Sequence, residues 1–204
     1  MSAPGDRSTA PRRGGTIVVM PVHVDETLPL HPLSVADVLG MVDAGILDAD
    51  DHVELLDGVL VEMSPQGTPH AYAIRKLTAL AFPAATAAGL ELSIQGPVDV
   101  GSPISLPEPD LAIVPVTGRD EHPRDALLVV EMGATSLRID LVRKARIYAT
   151  GNVPEYWVLD VTRRALIVHR APRSGAYTDV RTLGENETIT AVALDLTVPV
   201  SALL

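Results

Sequence analysis

The sequence contains no cysteine and very few aromatic residues, and both absences exclude classes of function. Without cysteine the chain can form no disulfide, no thiolate metal site and no thiol nucleophile, a composition typical of cytoplasmic proteins. Its six Phe, Tyr and Trp residues are few for a protein that stacks single-stranded bases. No apolar run approaches the roughly 20 residues that span a bilayer, so we expect no membrane segment.

Several catalytic signatures are also missing. The sequence has no Gly-rich phosphate loop, no G-x-S-x-G elbow and no H-E-x-x-H pair. The formal net charge is −10. Neutralising DNA phosphates needs a basic surface, so this charge argues against broad, sequence-blind DNA binding, although a local basic groove is compatible with it. Only two lysines occur, Lys76 and Lys144, and the remaining basic residues are arginines and histidines.

Length and composition predict one folded domain that follows a tail. Residues 1–15 are small, polar and proline-rich, and we expect them to form a disordered N-terminal tail. Residues 16–204 are long enough for a single domain with a substantial core, and 47% of the whole chain is hydrophobic.

The order of the local patterns predicts the fold class. A capped helix opens at Ser34, and an Asp57-Gly58 hairpin follows it. Further helices are predicted from Thr68 and from about Ser136 to Thr150, with runs of strands between and after them. This order predicts an α/β (α+β) fold, in which a mixed β-sheet is flanked by helices and carries additional β-hairpins.

Two carboxylates stand in apolar runs that the pattern assigns to the sheet. Asp110 precedes Leu-Ala-Ile-Val, and Glu131 follows Leu-Leu-Val-Val. An ionised carboxylate inside a core is unfavourable unless it is paired or binds a metal. Two of them at one end of a sheet would form an oxygen-rich site for a hard cation such as Mg²⁺. The alternative is that Asp110 begins its strand at a solvated turn and that Glu131 pairs with an arginine.

Lys144 lies on the helix that follows, one turn after Asp140 and on the same face. Near a metal and a scissile phosphate, a lysine can orient the attacking water and stabilise the charge of the transition state. The alternative is a solvated Asp–Lys pair, which is common on helices.

Glu54, Glu62 and His70 are further candidates. Glu54 and Glu62 lie on the two arms of the hairpin and can supply a further metal ligand. The alternative is that they are ordinary solvent-facing residues of half-exposed strands, in which polar and apolar residues alternate. His70, near the start of the second helix, can contact a phosphate, act as a base or support a ligand, or it is merely exposed.

Taken in order, these segments resemble the Uma-two family of restriction endonuclease-like proteins, within the PD-(D/E)xK nuclease superfamily. The resemblance covers about residues 30–204 and rests on these motifs: Glu54-Leu-Leu-Asp57-Gly, His70, Pro109-Asp110, Leu128-Val-Val-Glu131, Asp140-x-x-x-Lys144 with Tyr148-Ala, and Val153-Pro-Glu-Tyr-Trp-Val-Leu-Asp160.

The resemblance implies a restriction endonuclease-like core with acids at one end of the sheet. It matches Asp110 and Glu131 to metal-binding acids and Glu54 to a further acidic residue. Gly133 stands where the superfamily places a strand lysine, and Lys144 matches a lysine that has moved onto the following helix.

The leading hypothesis is a Mg²⁺-dependent (or Mn²⁺-dependent) endonuclease that hydrolyses phosphodiester bonds in DNA. Its candidate catalytic residues are Asp110, Glu131, Lys144 and His70, and its candidate metal ligands are Asp110, Glu131 and Glu54. Cutting both strands needs two sites, so a homodimer is expected. One alternative is an inert nuclease-fold module for nucleic-acid or protein interaction, which the acidic charge and Gly133 favour. Another is a metal-dependent phosphohydrolase that acts on a small nucleotide.

Overall fold

The computed structural model describes residues 29–48, 51–133 and 137–204, which form helices separated by runs of strands. The predicted tail at residues 1–15 lies outside these ranges. The helical elements are α1 Val35–Asp43, α2 Thr68–Ala87, a π-helical segment Ile139–Lys144, α3 Ala145–Thr150 and a 3-10 helix Val200–Leu203. The strands are β1 Val53–Leu56, β2 Val59–Glu62, β3 Leu90–Ile94, β4 Leu111–Pro115, β5 Leu128–Gly133, β6 Glu155–Asp160, β7 Ala165–Arg173, β8 Ala176–Gly184, β9 Thr188–Thr190 and β10 Thr197–Pro199. Among these described residues, no helix has both the length and the hydropathy needed to cross a bilayer.

Six strands form a mixed sheet in the order β3-β4-β5-β6-β7-β8. β5 and β6 are parallel, and the other neighbouring strands of this sheet are antiparallel. β1 and β2 form a separate hairpin, and β9 pairs with β10. The predicted α+β fold, a mixed sheet with additional hairpins, is confirmed.

Two hydrophobic clusters cover the opposite faces of this sheet. Side chains alternate between the faces along a strand. Leu111 and Val130 therefore join a cluster that contains residues of α2, whereas Ala112 and Val129 join a cluster that contains residues of α3. The sheet lies between these two helices, as the sequence predicts.

Local sequence signals place the first helix and the hairpin as predicted. The Asp37 N–H donates to Ser34 Oγ and the Ser34 N–H donates to Asp37 Oδ2, which together form a capping box. Asp57 and Gly58 have φ values of 51° and 77°, so the hairpin reverses in two residues. α2 begins at Thr68, which puts His70 in its first turn.

The connection from β5 to α3 departs from the sequence pattern. The pattern predicts a regular helix up to Thr150, but residues Ile139–Lys144 form a π-helix. Ser136, the first residue of the predicted helix, lies outside the described residues. Single π-helical turns within α-helices occur often at functional sites. This turn carries both Asp140 and Lys144, and both are buried.

Gly133 ends β5 and allows the helical segment to approach the sheet. A Cβ at Gly133 would lie 2.8 Å from Leu137 Cδ1 and 3.3 Å from Asp140 Oδ2. A larger residue at Gly133 must therefore displace these side chains. Leu137 and Asp140 fill the space that a strand side chain at position 133 would need. The same part of the chain continues to Lys144.

Gly133→Ala is expected to lower the free energy of unfolding by about 1 kcal/mol, the low end of the range for overpacking, because the nearest atom is the movable end of the Leu137 side chain. Gly40→Ala is the control, because Gly40 lies within α1 and a Cβ there meets no atom within 4 Å. That control is expected to raise the free energy of unfolding by about 0.5–1 kcal/mol. Urea denaturation measures both changes, and a Gly133→Ala protein as stable as the wild type would contradict the close approach.

Candidate active site

All the sequence-predicted site residues line one cavity of about 480 Å³. Different elements supply them: β1 carries Glu54, α2 carries His70, Asp110 directly precedes β4, Glu131 lies in β5, and the π-helical segment ends at Lys144. The register of the sheet explains one part of this arrangement. Leu111 pairs with Val130, which sets Asp110 beside Glu131. Glu62 also lines the cavity, from an exposed position at the end of β2.

Lys144 links two buried carboxylates. Its Nζ lies 2.9 Å from Glu54 Oε1 and 2.9 Å from Glu131 Oε1. Each of the three residues is only 5% exposed. Glu131 is therefore paired with a lysine and not with an arginine, and the interpretation of Lys144 as a solvated residue is wrong. Removing Lys144 would leave both carboxylates with an uncompensated desolvation penalty, because they share this cation.

Asp110 is held between His70 and the backbone of β5. Its Oδ1 lies 2.8 Å from His70 Nε2, and its Oδ2 accepts a hydrogen bond of 2.7 Å from the Met132 N–H. Asp110 is buried, so the interpretation of this residue as part of a solvated turn is wrong. The two contacts fix the carboxylate against the strand that carries Glu131.

Sequence reasoning misses two residues of the site. Tyr148 is fully buried, and its hydroxyl donates to Glu131 Oε1 at 3.2 Å. The Glu108 N–H donates to Glu54 Oε2 at 3.1 Å, and Glu108 also lines the cavity. Both had a signal in the sequence: Tyr148 follows Lys144 by one helical turn, and Glu108 lies in the same Pro-Glu-Pro-Asp run as Asp110.

Negative charge exceeds positive charge around the cavity. Burial raises the pKa of Glu131 well above its usual range; the attraction of Lys144 opposes this shift, and repulsion from Asp110 and other carboxylates adds to it. Burial by itself would lower the pKa of Lys144, but the surrounding carboxylates outweigh it and raise the pKa, so the lysine stays charged. The cluster therefore favours one further positive charge, either a proton or a cation. The acidic residues of the lining are Glu54, Glu62, Glu108, Asp110, Glu131 and Asp140, against Lys144 and His70.

In a chelating buffer, the free energy of unfolding is expected to fall as the pH rises above the usual pKa of a glutamate. Burial raises the pKa of Glu131 in the folded protein, and burial likewise raises the pKa of Glu108. The folded state then binds more protons than the unfolded state. This stabilisation is fully present below the unfolded-state pKa and is lost as the pH rises through the folded-state pKa. Urea denaturation at a series of pH values measures the slope.

Glu131→Gln is the matched variant for this pH dependence and should show a smaller slope. His169 has the opposite effect on stability at acid pH. Burial lowers its pKa, so the stability that the neutral imidazole contributes is lost as the pH falls. The slopes of the wild type and Glu131→Gln should therefore be compared above about pH 6.5, the usual pKa of histidine. Identical slopes for the wild type and Glu131→Gln would contradict the raised pKa of Glu131.

The donor chemistry of the cavity fits a hard divalent cation. Carboxylate oxygens are the protein ligands that Mg²⁺ and Mn²⁺ prefer. In the part of the chain that the structure describes, no three His, Asp or Glu residues form a group arranged to hold a metal. Mg²⁺ commonly takes only one or two carboxylates and completes its shell with water and substrate phosphates. Asp110 and Glu131 fit that mode of binding, and they do not fit an all-protein cage.

Known proteins resemble this chain in family and in fold. Residues 42–201 match the Uma2 family, described as "Putative restriction endonuclease", which is the Uma-two family that the motifs resemble. A solved structure of "a putative nuclease belonging to DUF820" from Anabaena variabilis ATCC 29413 superposes with a TM-score of 0.67 and 10% sequence identity. The match covers 84% of this chain and 97% of that chain, and at this identity it shows a shared fold. Among curated proteins, none matches the sequence.

Proposed function

This chain belongs to the Uma2 family, and from that premise we propose that it is a Mg²⁺-dependent endonuclease, with Mn²⁺ able to replace Mg²⁺, that hydrolyses phosphodiester bonds in DNA. Family membership does not determine a reaction, so the proposal depends on the site. One observation carries it. Glu54, Asp110 and Glu131 converge with Lys144 on a single cavity, where buried acids outnumber their cation.

Asp110 and Glu131 would hold the cation. Glu54, the further ligand that the sequence predicts, contacts Lys144 and would have to move to join them. When bound, Mg²⁺ supplies Lewis-acid stabilisation of the negative charge that develops on the phosphate oxygens. The acidic lining would otherwise repel a phosphodiester, since Lys144 and His70 are its basic members among the described residues. We therefore expect DNA to bind at this cavity only together with a divalent cation.

Lys144 orients the attacking water in this proposal and does not deprotonate it. The surrounding carboxylates raise the pKa of Lys144, so its ammonium group donates hydrogen bonds but accepts no proton. From its place between Glu54 and Glu131 it can donate to a water or to a phosphate oxygen in the cavity. His70 supports the site by holding the Asp110 carboxylate, and Asp140 adds negative charge near the ammonium group.

Incubation of the purified protein with supercoiled plasmid tests the proposed function. With Mg²⁺ or Mn²⁺, nicked or linear DNA is expected to accumulate, and a chelator is expected to stop the reaction. Asp110→Ala and Lys144→Ala are expected to cut far more slowly. A homodimer would bring one site to each strand, so linear product would then appear early.

Three other outcomes would count against the proposal. Equal cleavage by the wild type and both variants would identify a contaminating nuclease. No cleavage by folded wild type with either cation would favour an inert nuclease-fold module. Hydrolysis of small nucleotides without cleavage of plasmid would favour a phosphohydrolase.

A further inference from the structure

We propose that Tyr148 and Tyr156 are positioning residues for the acid–lysine site. Tyr148 fixes the Glu131 carboxylate, and Tyr156 fixes the π-helical turn that delivers Lys144. This inference rests on the proposed function and extends it to two residues that touch neither the scissile bond nor the cation.

The hydroxyl of Tyr148 restrains the rotation of Glu131. Glu131 Oε1 accepts two hydrogen bonds, one from Lys144 Nζ at 2.9 Å and one from Tyr148 at 3.2 Å. Rotating the carboxylate would break both hydrogen bonds inside the protein. Two donors on one oxygen therefore hold the carboxylate in one orientation toward the cavity.

The hydroxyl of Tyr156 restrains the π-helical turn. It donates to the backbone carbonyl of Asp140 at 3.1 Å. The same carbonyl accepts a hydrogen bond from the N–H of Ala145, five residues later, which is the bond that defines a π-helix. Lys144 directly precedes Ala145. A contact at the Asp140 carbonyl therefore stabilises the backbone geometry from which the lysine enters the site.

The rings of Tyr148 and Tyr156 contact each other. Their ring centroids lie 4.8 Å apart, and both residues are fully buried. Tyr148 lies on α3, whereas Tyr156 lies on β6 and pairs with Val129 of β5, the strand that also carries Glu131. The two rings are inclined by 47° and pack against each other, so they connect the acid-bearing sheet to α3, which directly follows the lysine-bearing π-helical segment.

Removal of single hydroxyl groups tests this role. Tyr148→Phe is expected to weaken Mn²⁺ binding in calorimetry about tenfold and to lower kcat on DNA by a similar factor, the usual range for residues that orient a metal ligand. Tyr156→Phe is expected to lower kcat about tenfold and to leave Mn²⁺ affinity within about twofold of wild type, because its target carries no metal ligand. At saturating Mn²⁺, KM for DNA should not change in either variant.

Tyr177→Phe is the matched control. Tyr177 also packs on Tyr156, at 6.3 Å between centroids, and its hydroxyl donates to the Val153 carbonyl at 2.9 Å, with no contact to the acid cluster. It should retain the Mn²⁺ affinity and kcat of the wild type. All proteins are compared at a temperature where circular dichroism shows each of them folded, so that a general loss of stability does not enter the comparison.

The outcomes separate this inference from the proposed function. If the wild type binds Mn²⁺ but cuts no DNA, the proposed function fails, while tenfold weaker Mn²⁺ binding by Tyr148→Phe would still support positioning. If the wild type cuts DNA and both Tyr148→Phe and Tyr156→Phe behave like Tyr177→Phe, the positioning role is overturned and the function stands. A wild type that neither binds Mn²⁺ nor cuts DNA overturns both.

Discussion

Lys144→Met is expected to lower the free energy of unfolding by about 3–5 kcal/mol, the usual effect of removing one partner from a buried ion pair. Methionine keeps most of the length of the side chain but leaves Glu54 and Glu131 without their shared cation. Both carboxylates are 5% exposed, so water cannot replace the lost ammonium group without opening the structure. Urea denaturation at neutral pH measures the change.

Two further variants isolate the cause of this loss. Lys76→Met changes the other lysine of the chain, which is exposed on α2, and should stay within about 0.5 kcal/mol of wild type. Adding Glu131→Gln to Lys144→Met removes one of the two carboxylate charges that are left unpaired. The double variant should recover part of the stability, a non-additive result expected for residues in contact. If the double variant is as unstable as Lys144→Met alone, the loss comes from packing and not from charge.

Glu131→Gln is expected to slow plasmid cleavage by about 10³-fold, since a bound cation contributes several kcal/mol to stabilising the transition state. Stability should be unchanged or higher. Glutamine has nearly the same shape and can still accept hydrogen bonds from Lys144 and Tyr148, and it removes a charge that burial disfavours and that shifts the pKa of Glu131 upward. A residue that lowers stability while it supports activity is typical of a functional site.

Cleavage rates in Mg²⁺ and urea denaturation of the same preparation measure the two effects of Glu131→Gln. The exposed variant Glu91→Gln, on β3, is the control and should alter neither quantity. Cleavage at the wild-type rate, or destabilisation by more than about 2 kcal/mol, would show that Glu131 serves a structural ion pair instead.

The parts of the fold that sequence reasoning predicts are those with local causes. The Ser34–Asp37 capping box needs residues three apart, and the Asp57-Gly58 turn needs two adjacent residues that accept positive φ. Asp110 and Glu131 are also visible in the sequence, because a charge within an apolar run requires an explanation wherever the strands lie.

The parts that sequence reasoning misses depend on distant contacts. Helical periodicity does not distinguish the π-helical turn from an α-helix, and the Asp140 carbonyl of this turn accepts a hydrogen bond from Tyr156 of β6. The burial of Lys144 depends on Glu54, which β1 supplies from a separate hairpin. Both features are decided by how elements far apart in the chain meet, and not by the residues next to them.

Calorimetric titration of the protein with Mn²⁺ tests most directly whether the acid cluster is a cation site. We expect saturable binding at millimolar concentration or below, weakened at least tenfold by Asp110→Asn, which keeps the shape of the side chain and removes its charge. Asp179→Asn, at a partly exposed position on β8 that pairs with Arg181, is the control and should bind as the wild type does. The absence of binding at millimolar Mn²⁺, or equal binding by Asp110→Asn and the wild type, would contradict the assignment of the cluster as a cation site.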